Sequence, residues 1–174
     1  AENLFNYFAN DTRIKFKLVV TNNPNAGVIA RAERFKKNVH IVSKTALNEY
    51  TSQLIEFLKV EKIDLIVLAG FLLKIPEDFV KAFPNKIINI HPSLLPKYGG
   101  KGMYGHYVHE AVINAREKES GITIHYVNEA YDEGKIILQV KCEIIDTDTP
   151  ETLSKKIRNL EFENLPKVIE KFLS

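Results

Sequence analysis

Hydrophobic positions in the first half of the chain fall into short apolar runs that alternate with longer stretches of helical spacing. The run at residues 63–69 is apolar almost throughout, as in a strand buried on both faces of a parallel sheet. Residues 27–37 and 44–60 repeat their apolar positions at helical spacing. Further strands are expected at 15–21, 39–42 and 86–91, and a short helix is expected to open at Pro76. This alternation predicts a parallel sheet with helices on both faces.

The last third of the chain has a different pattern. Residues 106–118 indicate a helix, and the strand-like segments 121–127 and 135–145 predict an antiparallel pair because a short loop joins them. Thr149 and Pro150 suit the N-cap and the first position of a last helix. The predicted fold class is therefore α/β, a mostly parallel, Rossmann-like open sheet with helices on both faces and an antiparallel C-terminal strand pair.

Composition narrows the class of protein. The chain has 174 residues, of which 45% are hydrophobic and 26% charged, as in one ordinary globular domain. The net charge of +2 is spread without a basic block, so we expect no nucleic-acid partner. Cys142 is the only cysteine, which excludes an internal disulfide and fits a reducing compartment. Without a signal peptide or an apolar run of membrane-spanning length, the expected location is cytoplasmic, with no membrane partner.

Candidate chemistry is concentrated at the end of the strand at 86–91, which Pro92 ends. Asn89 and His91 are two residues apart and therefore point to the same side of that strand. The carboxyl end of a strand is where open α/β sheets bind ligands. Asp132, in the sequence Tyr-Asp-Glu-Gly, adds a carboxylate further along the chain. An amide, an imidazole and a carboxylate are groups that acyl transfer can use.

The run Asn-Ile-His-Pro-Ser-Leu-Leu-Pro at 89–96, taken with the downstream Asp-Glu-Gly at 132–134, resembles the folate-dependent formyltransferases. The resemblance covers nearly the whole chain, including residues 64–71, 121–126 and 131–139. It implies transfer of a formyl group from 10-formyltetrahydrofolate, a co-substrate, to the amine of glycinamide ribonucleotide (GAR) in purine biosynthesis. It implies small-molecule partners and no metal, and it leaves the oligomeric state open.

The resemblance also implies roles for the three polar residues. Asn89 donates its amide N–H to the oxyanion, and His91, if protonated, donates there and then protonates the leaving nitrogen. Asp132 keeps His91 protonated and accepts the proton of the amine. Each residue alone has a plainer interpretation, as a turn former or a satisfied histidine. His125 and Thr123 share one face of the strand at 121–127 and are expected to support the site, although a purely structural role for His125 is equally open.

The substrate contacts that the resemblance implies fall on two regions. The folate pocket is expected to use apolar side chains and loop backbone: Leu68, Gly70, Phe71, Leu72, Leu73, Ile75, Val80, Ile87, Val127, Asn128, Glu129, Ala130 and Tyr131. Many of these are also candidates for the core. Glu161 on the last helix matches an acid that contacts the ribose, and Arg158 suits a phosphate. A solvated ion pair between these two is the plainer alternative.

Residues 1–8 look like the helix that follows the first strand and glycine-rich turn in this family. The expectation is thus a single formyltransferase domain over residues 1–174 that lacks this strand and its phosphate loop. His106 and His109 have the three-residue spacing of a metal pair, but a solvated or packed helix face is favoured because no further ligands are evident. Competing functions are another formyl-folate enzyme, such as formyltetrahydrofolate deformylase or a sugar-nucleotide formyltransferase, and a non-catalytic metabolite-binding module.

Overall fold

The computed structural model describes residues 1–173 and confirms the α/β class. The strands are β1 (Leu18–Thr21), β2 (Asn38–Ile41), β3 (Ile66–Leu68), β4 (Ile87–His91), β5 (Glu119–Tyr126) and β6 (Ile136–Glu143). The helices are α1 (Glu2–Tyr7), α2 (Val28–Arg34), α3 (Lys44–Glu49), α4 (Thr51–Val60), α5 (Glu77–Ala82), α6 (His106–Asn114) and α7 (Pro150–Leu173).

The strands are arranged in two sheets. β1 and β2 form a separate parallel pair, whereas β3, β4, β5 and β6 follow one another across a four-stranded sheet. In that sheet β3 and β4 are parallel, and β5 is antiparallel to both β4 and β6. The predicted antiparallel C-terminal pair is therefore confirmed, and the antiparallel contact between β4 and β5 adds a second one.

Helices cover both faces of β4, as predicted. Ile88 and Ile90 point into a core built with α1, α6 and α7, whereas Ile87 points into a second core with α4 and α5. Alternate residues of a strand face opposite sides, so one strand can serve both cores. Asn89 and His91 lie on the side of Ile87, which keeps their polar groups out of the larger core.

Three elements differ from the sequence prediction. The helix expected at 44–60 is two helices, because the hydroxyl of Thr51 donates to the carbonyl of Leu47 at 2.5 Å, in the place that a backbone N–H would take. Pro76 is the N-cap of α5, with an extended ψ of 145°, and not its first helical residue. β3 is shorter than expected and only partly buried, since within residues 1–173 it pairs with β4 alone.

The last helix, α7, begins as predicted. The N–H of Thr152 donates to the hydroxyl of Thr149 at 3.3 Å, which caps the first turn. Leu153 and Ile157 are buried in the larger core, so this face of the helix is fixed against the sheet. In the described part of the chain, none of the helices, α7 included, is long and apolar enough to cross a membrane.

Candidate active site

A cleft of about 800 Å³ lies where β3 and β4 end. Its walls are residues 68–75 after β3, residues 89–92 at the end of β4, the glycine-rich segment 100–105, and His109, His125, Val127, Asn128, Ala130, Tyr131 and Asp132, with Ala1 and four residues of α7. The carboxyl ends of parallel strands are the usual ligand site of open α/β sheets. The cleft therefore lies where the strand pattern predicted a site.

Asn89 and His91 reach the cleft from the same side of β4, as their spacing predicted. In the register of the sheet, Asn89 lies opposite His125 of β5, and His91 lies opposite Thr123. The amide Nδ2 of Asn89 is 3.2 Å from Nε2 of His125. The side chains of both strands thus form one polar patch at the base of the cleft.

Asp132 completes this patch from the loop after β5. Its carboxylate accepts the backbone N–H of Gly100 at 2.9 Å and the amide of Asn89 at 3.3 Å. Its Oδ2 lies 3.5 Å from Nδ1 of His91, and its Oδ1 lies 3.6 Å from Nε2 of His125. The structure therefore brings together Asn89, His91 and Asp132.

Glycine explains part of this loop geometry. A Cβ on Gly134 would stand 1.7 Å from the carbonyl oxygen of Tyr126, so only glycine lets the two segments approach so closely. Asp132 itself has a φ of +57°, a left-handed conformation that Asp and Asn adopt more readily than most residues. The Asp-Glu-Gly sequence thus returns the loop against β5 with the carboxylate pointing inward.

The backbone carbonyls around the two histidines indicate where their protons lie. Nε2 of His91 is 2.7 Å from the carbonyl oxygen of Tyr98, so Nε2 carries the hydrogen and donates. Nδ1 of His125 donates in the same way to the carbonyl oxygen of Tyr126 at 2.8 Å. Nδ1 of His91 is thereby left facing Asp132, and Nε2 of His125 accepts from Asn89.

Burial and nearby charges act on His91 and Asp132 in opposite directions. Burial lowers the pKa of His91, and the nearby Asp132 carboxylate and the Tyr98 carbonyl oppose this effect without reversing it. Burial alone would raise the pKa of Asp132, but its contacts with His125 and His91 and the hydrogen bond from the N–H of Gly100 lower it. Asp132 thus raises the pKa of His91, as expected of a partner that favours its protonated form, but burial has the larger effect.

Thr123 does not line the cleft but braces the segment that follows β4. It is fully buried, and its hydroxyl donates to the carbonyl of Ser93 at 2.7 Å and accepts the N–H of Leu95 at 3.0 Å. Gln139 of β6 donates to the Thr123 hydroxyl at 3.0 Å and to the Leu95 carbonyl at 2.8 Å. Sequence reasoning missed Gln139, because a polar residue on an edge strand carries no local signal.

Ten of the thirteen residues expected to form the folate pocket line the cleft: Leu68, Gly70, Phe71, Leu72, Leu73, Ile75, Val127, Asn128, Ala130 and Tyr131. The other three lie outside its wall. Val80 and Ile87 pack in the core shared with α4 and α5, and Glu129 is exposed to solvent. The segment after β3 is only partly covered, and Leu72 is 50% exposed. The cleft thus presents apolar surface to solvent along this wall.

The opposite wall is polar and comes from α7. Arg158 and Glu161 line the cleft together with Ser154 and Ile157, which lie on the same helical face. Burial raises the pKa of Glu161, and the charge of Arg158 opposes this effect. The two residues expected to contact GAR therefore share one cleft with Asn89, some 70 residues earlier in the sequence.

The segment 100–105 is a further part of the site that sequence reasoning did not identify. Gly100, Gly102 and Gly105 all have positive φ, and Lys101 is exposed between the first two on the cleft wall. The signal that could have identified the segment is the density of glycine just before a helix. Lys101, Lys74 and Arg158 place three cationic side chains on a cleft that also holds the carboxylates of Asp132 and Glu161.

The histidines of α6 point in different directions. His106 is exposed and lies 2.9 Å from Glu110, whereas His109 is buried and lines the cleft. The spacing of this pair therefore reflects one solvated and one packed side chain. Within residues 1–173, no group of three or more histidine, cysteine, aspartate or glutamate residues has the geometry to hold a metal ion.

Comparisons with known proteins show which family this chain resembles. The formyl transferase family profile matches residues 5–169. A phosphoribosylglycinamide formyltransferase from Bacillus subtilis (strain 168) is 40% identical over 163 residues, covering 90% of this chain and 79% of that protein. A chloroplastic enzyme of the same name from Arabidopsis thaliana is 48% identical over 110 residues, but the matched region spans only 38% of its length and 63% of this chain.

A solved structure shows the same fold. The crystal structure of phosphoribosylglycinamide formyltransferase from Anaplasma phagocytophilum superposes with a TM-score of 0.87 at 31% sequence identity. The superposition covers 99% of this chain and 80% of that one. The profile match over most of the chain, the 40% identity and the shared fold lead to one conclusion: the chain belongs to the formyl transferase family.

Proposed function

We propose that this protein transfers a formyl group from 10-formyltetrahydrofolate to the amine of GAR in purine biosynthesis. The observation that carries the proposal is the meeting of Asn89, His91 and Asp132 at the end of β4 in one open cleft. The names of the Bacillus subtilis and Anaplasma phagocytophilum relatives support the choice of reaction. The roles of the individual residues below belong to the same proposal.

In this reaction the amine of GAR attacks the formyl carbon, a new C–N bond forms, and a tetrahedral oxyanion develops. Asn89 is the donor aimed at that oxygen. In the resting site its amide hydrogens are directed at Asp132 and at Nε2 of His125, so the amide is already held in a fixed orientation. One of these two hydrogen bonds is exchanged for a bond to the oxyanion, whose developing charge the amide then stabilises.

Asp132 receives the proton that the amine loses. Its lowered pKa keeps the carboxylate ionised at neutral pH, and the N–H of Gly100 keeps it in place. Nδ1 of His91 faces Asp132. It can share the proton that Asp132 receives from the amine as the intermediate forms. The C–N bond to the folate then breaks, and the same proton passes to the folate nitrogen. The enzyme thereby returns to its starting protonation state.

The two ends of the cleft suit the two substrates. The apolar segment 68–75 offers surface and backbone groups to the pterin, and Glu161 and Arg158 offer an acid for the ribose hydroxyls and a guanidinium for the phosphate. Lys74 and Lys101 add positive charge, which suits a phosphate and the carboxylates of a folate tail. The wall of α7 is the feature that favours a nucleotide acceptor over water.

The decisive experiment is a formyl-transfer assay on the full-length protein, in which the change of absorbance as 10-formyltetrahydrofolate is converted to tetrahydrofolate is followed with and without GAR. We expect conversion that depends on GAR and yields formylated GAR. Equal conversion without GAR would identify a deformylase, in which water is the acceptor. Transfer only to an amino sugar nucleotide would identify a sugar-nucleotide enzyme, and binding without conversion would identify a metabolite-binding module.

Three further points belong to the proposal. Residues 1–174 act as one formyltransferase domain, which the profile match over residues 5–169 and the shared cores support. The reaction uses formyl-folate as co-substrate and no metal. Cytoplasmic location, and the expectation that neither nucleic acid nor membrane is a partner, remain predictions.

A further inference from the structure

His109 is a buried imidazole that the mechanism above does not use. It lies on the second turn of α6, is 5% exposed, and lines the cleft. Its Nδ1 is buried and has no hydrogen-bond partner within residues 1–173, and no protein group bonds to its Nε2 either. Burial, helped by nearby His106, lowers the pKa of His109, which favours the neutral ring at pH 7.

A buried polar ring without partners is unfavourable, and native structures rarely retain one without a reason. An apolar residue of similar size, such as leucine, would fill the same space on α6 beside the buried Val108 and Val112. A neutral imidazole on a cleft wall carries one N–H donor and one nitrogen acceptor. It is therefore equipped to bond an uncharged group of a ligand, such as a hydroxyl or an amide.

The position of α6 indicates which part of a ligand His109 would contact. The segment just before the helix donates the Gly100 N–H to Asp132 at the reaction centre. The helix then packs against α7, which carries Arg158 and Glu161 on the same cleft. His109 thus lines the same cleft as both groups, on a helix that contacts the wall expected to bind the phosphate and ribose.

We propose that His109 is a substrate-positioning residue that hydrogen-bonds the uncharged ribosyl-amide portion of the nucleotide and so helps to determine specificity for it. The inference rests on the proposed function and refines its acceptor site. A phosphate is a poorer match, because it calls for a charged donor, which Arg158 supplies. The carboxylates of a folate are a poorer match for the same reason.

The test compares three variants of the full-length protein. His109→Leu removes both nitrogens at similar volume, whereas His109→Gln keeps a donor and an acceptor at similar reach. His106→Leu is the matched control, since His106 is exposed on the same helix and does not line the cleft. For each variant we would measure kcat, the KM for GAR, the KM for 10-formyltetrahydrofolate, and the melting temperature.

We expect His109→Leu to raise the KM for GAR about tenfold, equivalent to ~1.4 kcal/mol. The KM for the folate should stay unchanged, and the melting temperature should stay the same or rise because an unsatisfied polar group has been removed. His109→Gln should recover most of the affinity for GAR, and His106→Leu should resemble the wild type. In the wild type, adding GAR alone should shift the ¹⁵N resonances of the His109 ring.

An unchanged KM for GAR in His109→Leu, or a ring resonance that does not respond to GAR, would show that His109 only fills space. Either result would overturn this inference while leaving the proposed function intact. Failure of the wild-type protein to formylate GAR would instead overturn the proposed function, and this refinement with it.

Discussion

Replacing Asp132 with asparagine removes one negative charge and the oxygen that accepts the amide of Asn89, and it leaves the backbone conformation in place. Asparagine readily adopts the left-handed backbone seen at this position, with a φ of +57°, and its side-chain oxygen can still accept the N–H of Gly100. What disappears is the group that takes the amine's proton and the charge 3.5 Å from Nδ1 of His91. Loss of a proton-transfer partner costs about 10² to 10⁴ in rate, or roughly 3 to 5 kcal/mol in the activation barrier.

The assay is steady-state formyl transfer with calorimetric measurement of the binding of GAR and the folate. We expect kcat to fall by at least about a hundredfold, with both dissociation constants within a few-fold of wild type. Because Asp132 opposes the lowering of the His91 pKa, that pKa should fall further in the variant, which histidine NMR can follow. Glu133→Gln, a change of the exposed neighbouring residue, is the control. A kcat within a few-fold of wild type would refute the assigned role of Asp132.

Three more predictions follow from the site and its support. Glu161→Ala should raise the KM for GAR and leave that for the folate unchanged, since Glu161 lies on the α7 wall; Glu163→Ala, an exposed neighbour, is the kinetic control. Thr123→Val should lower the free energy of unfolding by about 1 to 3 kcal/mol in urea titrations, because it strands a buried N–H and a carbonyl. Stability should also fall as the pH drops below about 6.5, because burial lowers the pKa of His91 and His109 and the unfolded chain then binds more protons.

Each of these predictions has an outcome that contradicts it. Equal changes in both KM values for Glu161→Ala would mean that the acid is structural. A Thr123→Val protein as stable as wild type would mean that other groups satisfy the loop after β4. For the pH dependence, each histidine can contribute at most about 1.4 kcal/mol per pH unit, so His91→Asn should reduce the slope between about pH 7 and 5. An unchanged slope would show that His91 does not resist protonation in the folded protein.

Much of the architecture was predictable because it depends on local periodicity. The alternation of strands and helices predicted the α/β class, and the two-residue period of β4 placed Asn89 and His91 on one side. Periodicity could not predict the break between α3 and α4. There the hydroxyl of Thr51 competes with the backbone for a hydrogen bond to a carbonyl. The division of the strands into two sheets could not be predicted either, because strand pairing depends on contacts between residues far apart in the sequence.

The sequence by itself determined which chemical groups are present and which of them share a strand or a helical face. Only the tertiary structure decided that Asp132 meets Asn89 across 43 positions of sequence, because that contact depends on the Gly100 N–H and on the close approach at Gly134. It also decided that burial lowers the pKa of His91 and that Nδ1 of His109 finds no hydrogen-bond partner within residues 1–173. Burial is a property of everything packed around a side chain, and no local pattern of residues encodes it.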